Sequence, residues 1–381
     1  MEFSWTEEQL ALKQSVIEFA QRELNQNVAA KDLECRFPAA EWQKCAEFGI
    51  QGLGIPEAYG GQGHDLLTTM FAMEGLGYGC RDNGLTFALN AEFVSTAAAI
   101  LKVGNETQKQ TYLRGICSGE MIGAYAMTEP TSGSDAFSLK TLARETEGGY
   151  LLTGHKILLT FGPVADFAIV FATVDPSLGH WGISSFLVDK SSPGFKVTET
   201  QPKMGLRTTP IGELILEDCF VPADNMLGEE GAGAAIFTIS QEWERAMILS
   251  SQLGIMEYQL ETAIAYAQER QQFGQSIGKF QAVSHRITEM KMRLDIAKML
   301  AYRAAWLIDQ GLPATTEASM ANIYMSESFV ANSLDAVMVH GGRGYLSSHE
   351  IERDLRDAVG GPVYGGTSDI QRNIIAKELG L

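Results

Sequence analysis

Apolar positions at helical spacing open the chain. Leu12, Val16 and Phe19 recur every three or four residues behind Thr6 and Gln9, a pairing that caps helix N-termini. An amphipathic first helix is expected, and helical character continues to about residue 115, interrupted by the glycine-rich loop from Ile55 to Gly63. From about 116 to 227 the pattern shortens to β-branched and aromatic runs, such as 168–174, 185–188 and 213–216, separated by Gly, Pro and Asp. From Gly228 long helical periods return, over roughly 234–271 and 281–310, broken at the turn from Gln272 to Gly278. Helices, strands, then helices again predict an α+β fold of three domains: an N-terminal helical domain (1–115), a middle β domain (116–227) and a C-terminal helical bundle (228–381).

This succession differs from the alternating strands and helices of a nucleotide-binding parallel sheet, and no G-x-G-x-x-G follows a strand in the β region, so a nicotinamide enzyme is a poor reading. At 381 residues the chain exceeds the size, about 250–300 residues, at which single cores stop growing. With hydrophobic residues at 45% and charged ones at 20%, it reads as an ordinary globular chain. A net charge of −18 argues against nucleic-acid binding, which needs clustered Lys and Arg. The strongest apolar run, Phe167 to Val174, is too short to span a bilayer, and the N-terminus lacks a signal-peptide pattern, so no membrane span and a cytoplasmic location are expected. Five cysteines without a Cys-x-x-Cys pair suit free thiols, and six histidines without ligand spacing make a metal site unexpected.

Met127-Thr-Glu-Pro-Thr-Ser-Gly-Ser-Asp135 joins hydroxyls, a carboxylate and a Gly-rich backbone at the edge of the β region. By itself it reads as a turn. It resembles, however, the TEPxxGSD segment of acyl-CoA dehydrogenases, and further segments match in the same order. Gly154-His-Lys-Ile-Leu-Leu-Thr-Phe-Gly162 resembles G-x-K-x-W-I-T-N-G, with Leu158 for Trp and Phe161 for Asn. Arg270-Gln-Gln-Phe-Gly274 and Phe280-Gln281 resemble R-x-x-F-G and F-Q, although alone they read as a charged helix end before a glycine cap. His340-Gly-Gly-Arg-Gly-Tyr345 resembles the GGxGY loop, with Met338 where Gln is usual. Arg353-Asp-Leu-Arg-Asp-Ala358 and Tyr364-Gly-Gly-Thr-Ser-Asp-Ile-Gln371 resemble R-D-A and Y-E-G-T-x-E-I-Q, with Thr367 or Ser368 able to cap the last helix.

The resemblance implies FAD as cofactor. Met127 and Thr128 would then contact the isoalloxazine ring, Thr160 would reach it from the next strand, and Ser134 would meet the flavin pyrophosphate or the thioester arm. Arg270, Phe273, Phe280 and Gln281 would reach the diphosphate and adenosine across a subunit interface, with an arginine suited to phosphate oxygens. Gly341, Gly342, Thr367 and Asp369 belong to the segments implied to complete the flavin site, and a homotetramer is implied.

Removing a proton beside a thioester carbonyl needs a buried carboxylate facing the acyl group. Most of the family use the Glu of Y-E-G-T, but this chain has Gly365 there. Gln241-Glu-Trp-Glu-Arg245 resembles the helix position from which isovaleryl-CoA dehydrogenase supplies its Glu, making Glu244 the candidate base beside Arg245. Glu242 lies about 200° further round a helix, so only one of the two can face the site. An arbitrary Glu-x-Glu pair would sit on a solvated face. The amide of Gly365 would still bind the thioester oxygen, with Tyr364 and Arg245 beside the substrate.

Glu244, Gly365 and Leu158 together resemble prolyl-carrier-protein dehydrogenases and oxidases of natural-product pathways, including anatoxin-type biosynthesis. That likeness implies L-prolyl-S-acyl carrier protein as substrate, dehydroprolyl or pyrrolyl thioester as product, and oxygen or an electron-transfer protein as acceptor. Two other readings stand beside it: a short- or branched-chain acyl-CoA dehydrogenase acting on a CoA thioester, and a flavoprotein subunit that lost catalysis with the change at 365.

Overall fold

The structure, a computed structural model, describes residues 4–381. Its first part is helical: α1 (Glu7–Glu23), α2 (Val28–Glu34), α3 (Ala39–Phe48), α4 (Leu66–Gly79) and α5 (Asn83–Ala91). A π-helical stretch, Glu92–Ala97, runs on into α6 (Ala98–Val103). Then follow α7 (Glu106–Gln108), a second π-helical stretch at Lys109–Leu113, and α8 (Arg114–Ser118). Thr6 and Gln9 form the reciprocal capping box at the start of α1. The unbroken helix Asn83–Val103 is more apolar than the 167–174 run suggests. It is long and apolar enough to cross a membrane, but 83% of its apolar window is buried inside the protein, where it serves as a core helix. Its Asn90 and Glu92 hide that character in the sequence, and both are buried in hydrogen bonds to other elements.

The middle region is one seven-stranded sheet of β1 (Gly123–Ala126), β2 (Leu142–Thr146), β3 (Gly149–Thr160), β4 (Phe167–Thr173), β5 (Ile183–Asp189), β6 (Phe195–Val197) and β7 (Ile211–Pro222). Strand β4 is buried along its whole length, which is why its sequence is continuously apolar rather than alternating. It runs parallel to β1 and antiparallel to β5. Strands β3 and β7 form the long antiparallel pair, whose register shifts between Lys156 and Leu159. That bulge carries two non-glycine residues in the left-handed region, Leu158 at φ 54° and, just past the strand, Phe161 at φ 66°. Phe161 is locked by an edge contact with Trp42 of α3 at 5.6 Å.

The helical period expected over 234–271 is two helices, α9 (Gly233–Met247) and α10 (Ser250–Glu269). Leu249, at φ −100° and ψ 7°, breaks them. Apolar residues continue through the break without Gly or Pro, so the periodicity conceals it. A short hairpin, β8 (Gln271–Gln272) and β9 (Gln275–Ser276), leads to α11 (Gln281–Asp309) and α12 (Thr315–His340). The chain ends with α13 (Gly342–Tyr345), α14 (Ile351–Ala358) and α15 (Ser368–Glu378), the last capped by Thr367.

Two contacts clamp the N-terminal helices to the C-terminal ones. The carboxylate of Glu74 on α4 is fully buried between Lys13, Lys298 and Tyr302, from α1 and α11. Burial alone would raise its pKa, but Lys298 and Lys13 prevail and hold it below the ordinary value. One turn along, α4 and α10 cross backbone to backbone: a Cβ on Gly254 would lie 1.9 Å from the Glu74 carbonyl, and one on Gly77 1.8 Å from that of Ser251. Gly254→Ala is therefore expected to cost about 3 kcal/mol or more through overpacking that only a helix shift relieves, read as a lowered denaturation midpoint in urea.

Candidate active site

The stretch 127–135 follows β1 as a turn closed by Glu129 and Ser132, each donating its N–H to the other's carbonyl. Glu129 is buried. Its carboxylate accepts from the Lys140 and Thr141 amides, the Thr141 hydroxyl and Lys156 Nζ, the last at 2.8 Å. Lys156 Nζ also donates to the carbonyl of Met127 at 3.1 Å. Burial pushes this lysine down to about 8, against the pull of Glu129, while Lys156 and the other donors hold Glu129 below the usual carboxylate range despite its own burial. At neutral pH the pair is charged. It ties the turn to β3, as does the Ile157 amide donating to the carbonyl of Thr128.

The rim so formed is polar and open. Met127 is buried, whereas Thr128 and Thr160 are half-buried and Ser134 is exposed. Leu158 projects from the bulge, 59% exposed. A Cβ on Gly133 would meet no atom within 4 Å.

Helix α9 lies against β1, with Tyr125 and Ser240 sharing a 2.6 Å hydrogen bond between hydroxyls. One turn further, Glu244 is only 7% exposed, and Glu242 is half-buried on another face. Burial raises the Glu244 carboxyl to about 7, although Arg245, Ser95 and Gln241 all favour its charged form. Its Oε1 lies 3.0 Å from the point where a Cβ on Gly365 would stand. Gly365 has φ +66°, so a side chain there would strain the left-handed backbone and press on the carboxyl. Helix α9 and the 364–366 loop thus converge on one small volume, with the acid supplied by the helix. Arg245 is largely buried beside it, and its Nε has no hydrogen-bond partner among the described residues.

Tyr364 closes the next side. Its ring is 4.6 Å from Phe87, and its hydroxyl accepts from Gln252 Nε2 at 3.1 Å. Beyond them remains a cavity of about 10 Å³ lined by residues including Phe87, Ile248, Ser251 and Gln252, roughly the room of one water molecule.

The other sequence candidates lie apart. Arg270, Phe273 and Gln281 are exposed at the β8–β9 hairpin and the start of α11, and Phe280 meets Phe273 edge-on at 6.0 Å. Gly341 and Gly342 are exposed beside them, because Tyr266 stacks on His340 and faces Arg343. Among the described residues, no hydrogen bond, ion pair or ring contact joins this cluster to Met127, Thr128, Thr160 or Glu244. Thr367 caps α15 and Asp369, exposed in its first turn, pairs with Arg372. Sequence reasoning missed Ser95, Tyr125, Gln241 and Gln252. Gln241 was within reach, standing three residues before Glu244 on one helix; Ser95 and Tyr125 come from other elements.

Three family descriptions match in order: acyl-CoA dehydrogenase N-terminal domain at residues 6–120, middle domain at 124–219 and C-terminal domain at 231–380. The chain belongs to the acyl-CoA dehydrogenase family. It is 45% identical over 346 residues, 91% of each chain, to the L-prolyl-[peptidyl-carrier protein] dehydrogenase of Pseudomonas fluorescens. The solved structure of the prolyl acyl carrier protein oxidase AnaB is 48% identical, with a TM-score of 0.98 over 99% of this chain and all of that one. A structure described as PigA with FAD and proline is 36% identical, with a TM-score of 0.97 over the whole of both chains.

Removing one partner of the buried Glu129–Lys156 pair leaves an uncompensated charge. Lys156→Met is expected to cost about 3–5 kcal/mol, seen as a fall in thermal midpoint by circular dichroism.

Proposed function

We propose that this chain is an FAD-dependent dehydrogenase of an acyl thioester, acting on L-prolyl-S-acyl carrier protein to give a dehydroprolyl or pyrrolyl thioester. The observation that carries the reading is the buried Glu244 carboxyl, its Oε1 facing the volume left free by Gly365. Relatives named for the prolyl carrier protein support the substrate.

The residues present fit the cofactor. Buried Met127 offers an apolar seat and Thr128 and Thr160 hydroxyls beside it at the β1–β3 rim, the Thr128, Ser134 and Thr160 hydroxyls having no hydrogen bond among the described residues. When bound, FAD supplies an acceptor for the β-hydrogen with its electron pair. Glu244 takes the α-proton as the α,β double bond forms. The Gly365 amide donates to the thioester oxygen, where charge builds up; a donor so aimed is worth about 2.7–4 kcal/mol. Tyr364, packed on Phe87, shields the Gly365 loop from water, and Arg245 lies beside the base. Oxygen or an electron-transfer protein takes the electrons onward.

Arg270, Phe273, Phe280, Gln281, Gly341 and Gly342 then serve the cofactor of a neighbouring copy in a homotetramer. Exposed Met292, Ile296, Met299 and Met338 on α11 and α12 suit a face covered by another copy.

The deciding experiment is mass spectrometry of the carrier-bound prolyl thioester after incubation, with peroxide measured and butyryl-CoA and isovaleryl-CoA run alongside. A mass loss of two or four hydrogens on the prolyl arm supports the reading; turnover of the CoA esters alone replaces it with an acyl-CoA dehydrogenase, and an unbleached flavin with a non-catalytic subunit. Glu244→Gln is expected to keep bound flavin and to lose substrate-dependent bleaching. Because a raised pKa keeps Glu244 partly protonated, the wild-type bleaching rate should climb with pH through about 7 and level off above it. Gly365→Ala, which drives a Cβ against Oε1, is expected to lower the bleaching rate at least about a hundredfold.

A further inference from the structure

The two oxygens of Glu244 have different surroundings. Oε2 accepts from Gln241 Nε2 at 2.5 Å and from Ser95 Oγ at 3.4 Å. Oε1 accepts from no donor among the described residues and is the oxygen 3.0 Å from the Cβ position of Gly365. We infer that Gln241 and Ser95 are positioning residues for the base: by donating to Oε2 they hold the carboxyl so that Oε1 alone faces the substrate α-carbon. This rests on Glu244 being the base.

The two donors arrive by different routes. Gln241 stands three residues before Glu244 on α9, one turn away on the same side. Ser95 comes from the π-helical stretch, where each turn holds an extra residue and side chains shift round the axis relative to an α-helix. Phe93, in the same stretch, packs against Trp243 of α9 at 6.1 Å, so the π turn and the helix of the base are fixed to each other. Glu92, at the start of that stretch, accepts the Gly123 amide of β1 at 3.1 Å, joining the strand that carries Tyr125.

The titratable groups facing the Glu244 carboxyl are Arg245 on its own helix and the Tyr125 phenol from β1. A donor to Oε2 favours the ionised carboxyl, so its removal raises the pH at which Glu244 loses its proton.

The test is an infrared pH titration of the Glu244 carboxyl in flavin-loaded, substrate-free protein, with Glu244→Gln as the subtraction. Gln241→Leu is expected to move the midpoint up by about one pH unit, tenfold in the ionisation constant. It should also slow flavin bleaching at saturating substrate by about tenfold or more, with KM nearly unchanged. Ser95→Ala should act in the same direction, and Ser95→Thr, which keeps the hydroxyl, should restore the wild-type midpoint. Should Gln241→Leu fail to fold, the Ser95 pair carries the test. A wild-type midpoint in a folded, flavin-loaded Gln241→Leu or Ser95→Ala protein overturns the inference. Because the titration needs no substrate, that failure is distinct from failure of the proposed reaction, which would show as turnover by Glu244→Gln.

Discussion

A carboxyl held away from water is the constraint around which the rest is arranged. Glu244 can sit in the interior because Arg245, Gln241 and Ser95 offset part of the desolvation penalty, and because position 365 has no side chain to compete for the same volume. The result is an acid poised near neutrality rather than one fixed in either state. A group so balanced can accept a proton and return it without a large penalty on either leg.

The surrounding architecture keeps that balance from collapsing. Strand β4 gives the middle sheet a dry spine, β1 brings Tyr125 to α9, and Glu129 with Lys156 pins the turn beyond β1 to β3. The crossing of α4 and α10 at Gly77 and Gly254 sets where Ser251 and Gln252 stand, and Gln252 in turn holds Tyr364. Each wall of the site is thus anchored to an element whose own position is over-determined by packing or by a buried ion pair.

Much of this was legible in the sequence. The opening capping box, the continuous apolar run of β4 and the Thr367 cap all follow from local rules that tertiary packing did not override. The glycine at 365 pointed to the helix for its acid because a missing carboxylate in a family resemblance is a conspicuous gap. The break at Ile248–Leu249 was hidden because apolar spacing continues across it, with neither Gly nor Pro to mark it. The apolar character of Asn83–Val103 was obscured by Asn90 and Glu92, polar residues whose partners lie far away in the chain. Ser95 was invisible for a related reason: a π turn has no sequence signature of its own, and its contact with Glu244 spans 149 residues.

That π turn also bears on how the protein can vary over time. A π turn takes up one extra residue as a bulge within an α-helix, so removing one residue between Glu92 and Ala97 would return the stretch to plain α-helix and re-aim the side chains inside it, Ser95 among them. A replacement here alters one contact, but a single-codon deletion alters all those of the bulge at once. The length of the segment and its three inward contacts, through Glu92, Phe93 and Ser95, are then the traits that lineages of this enzyme would inherit together.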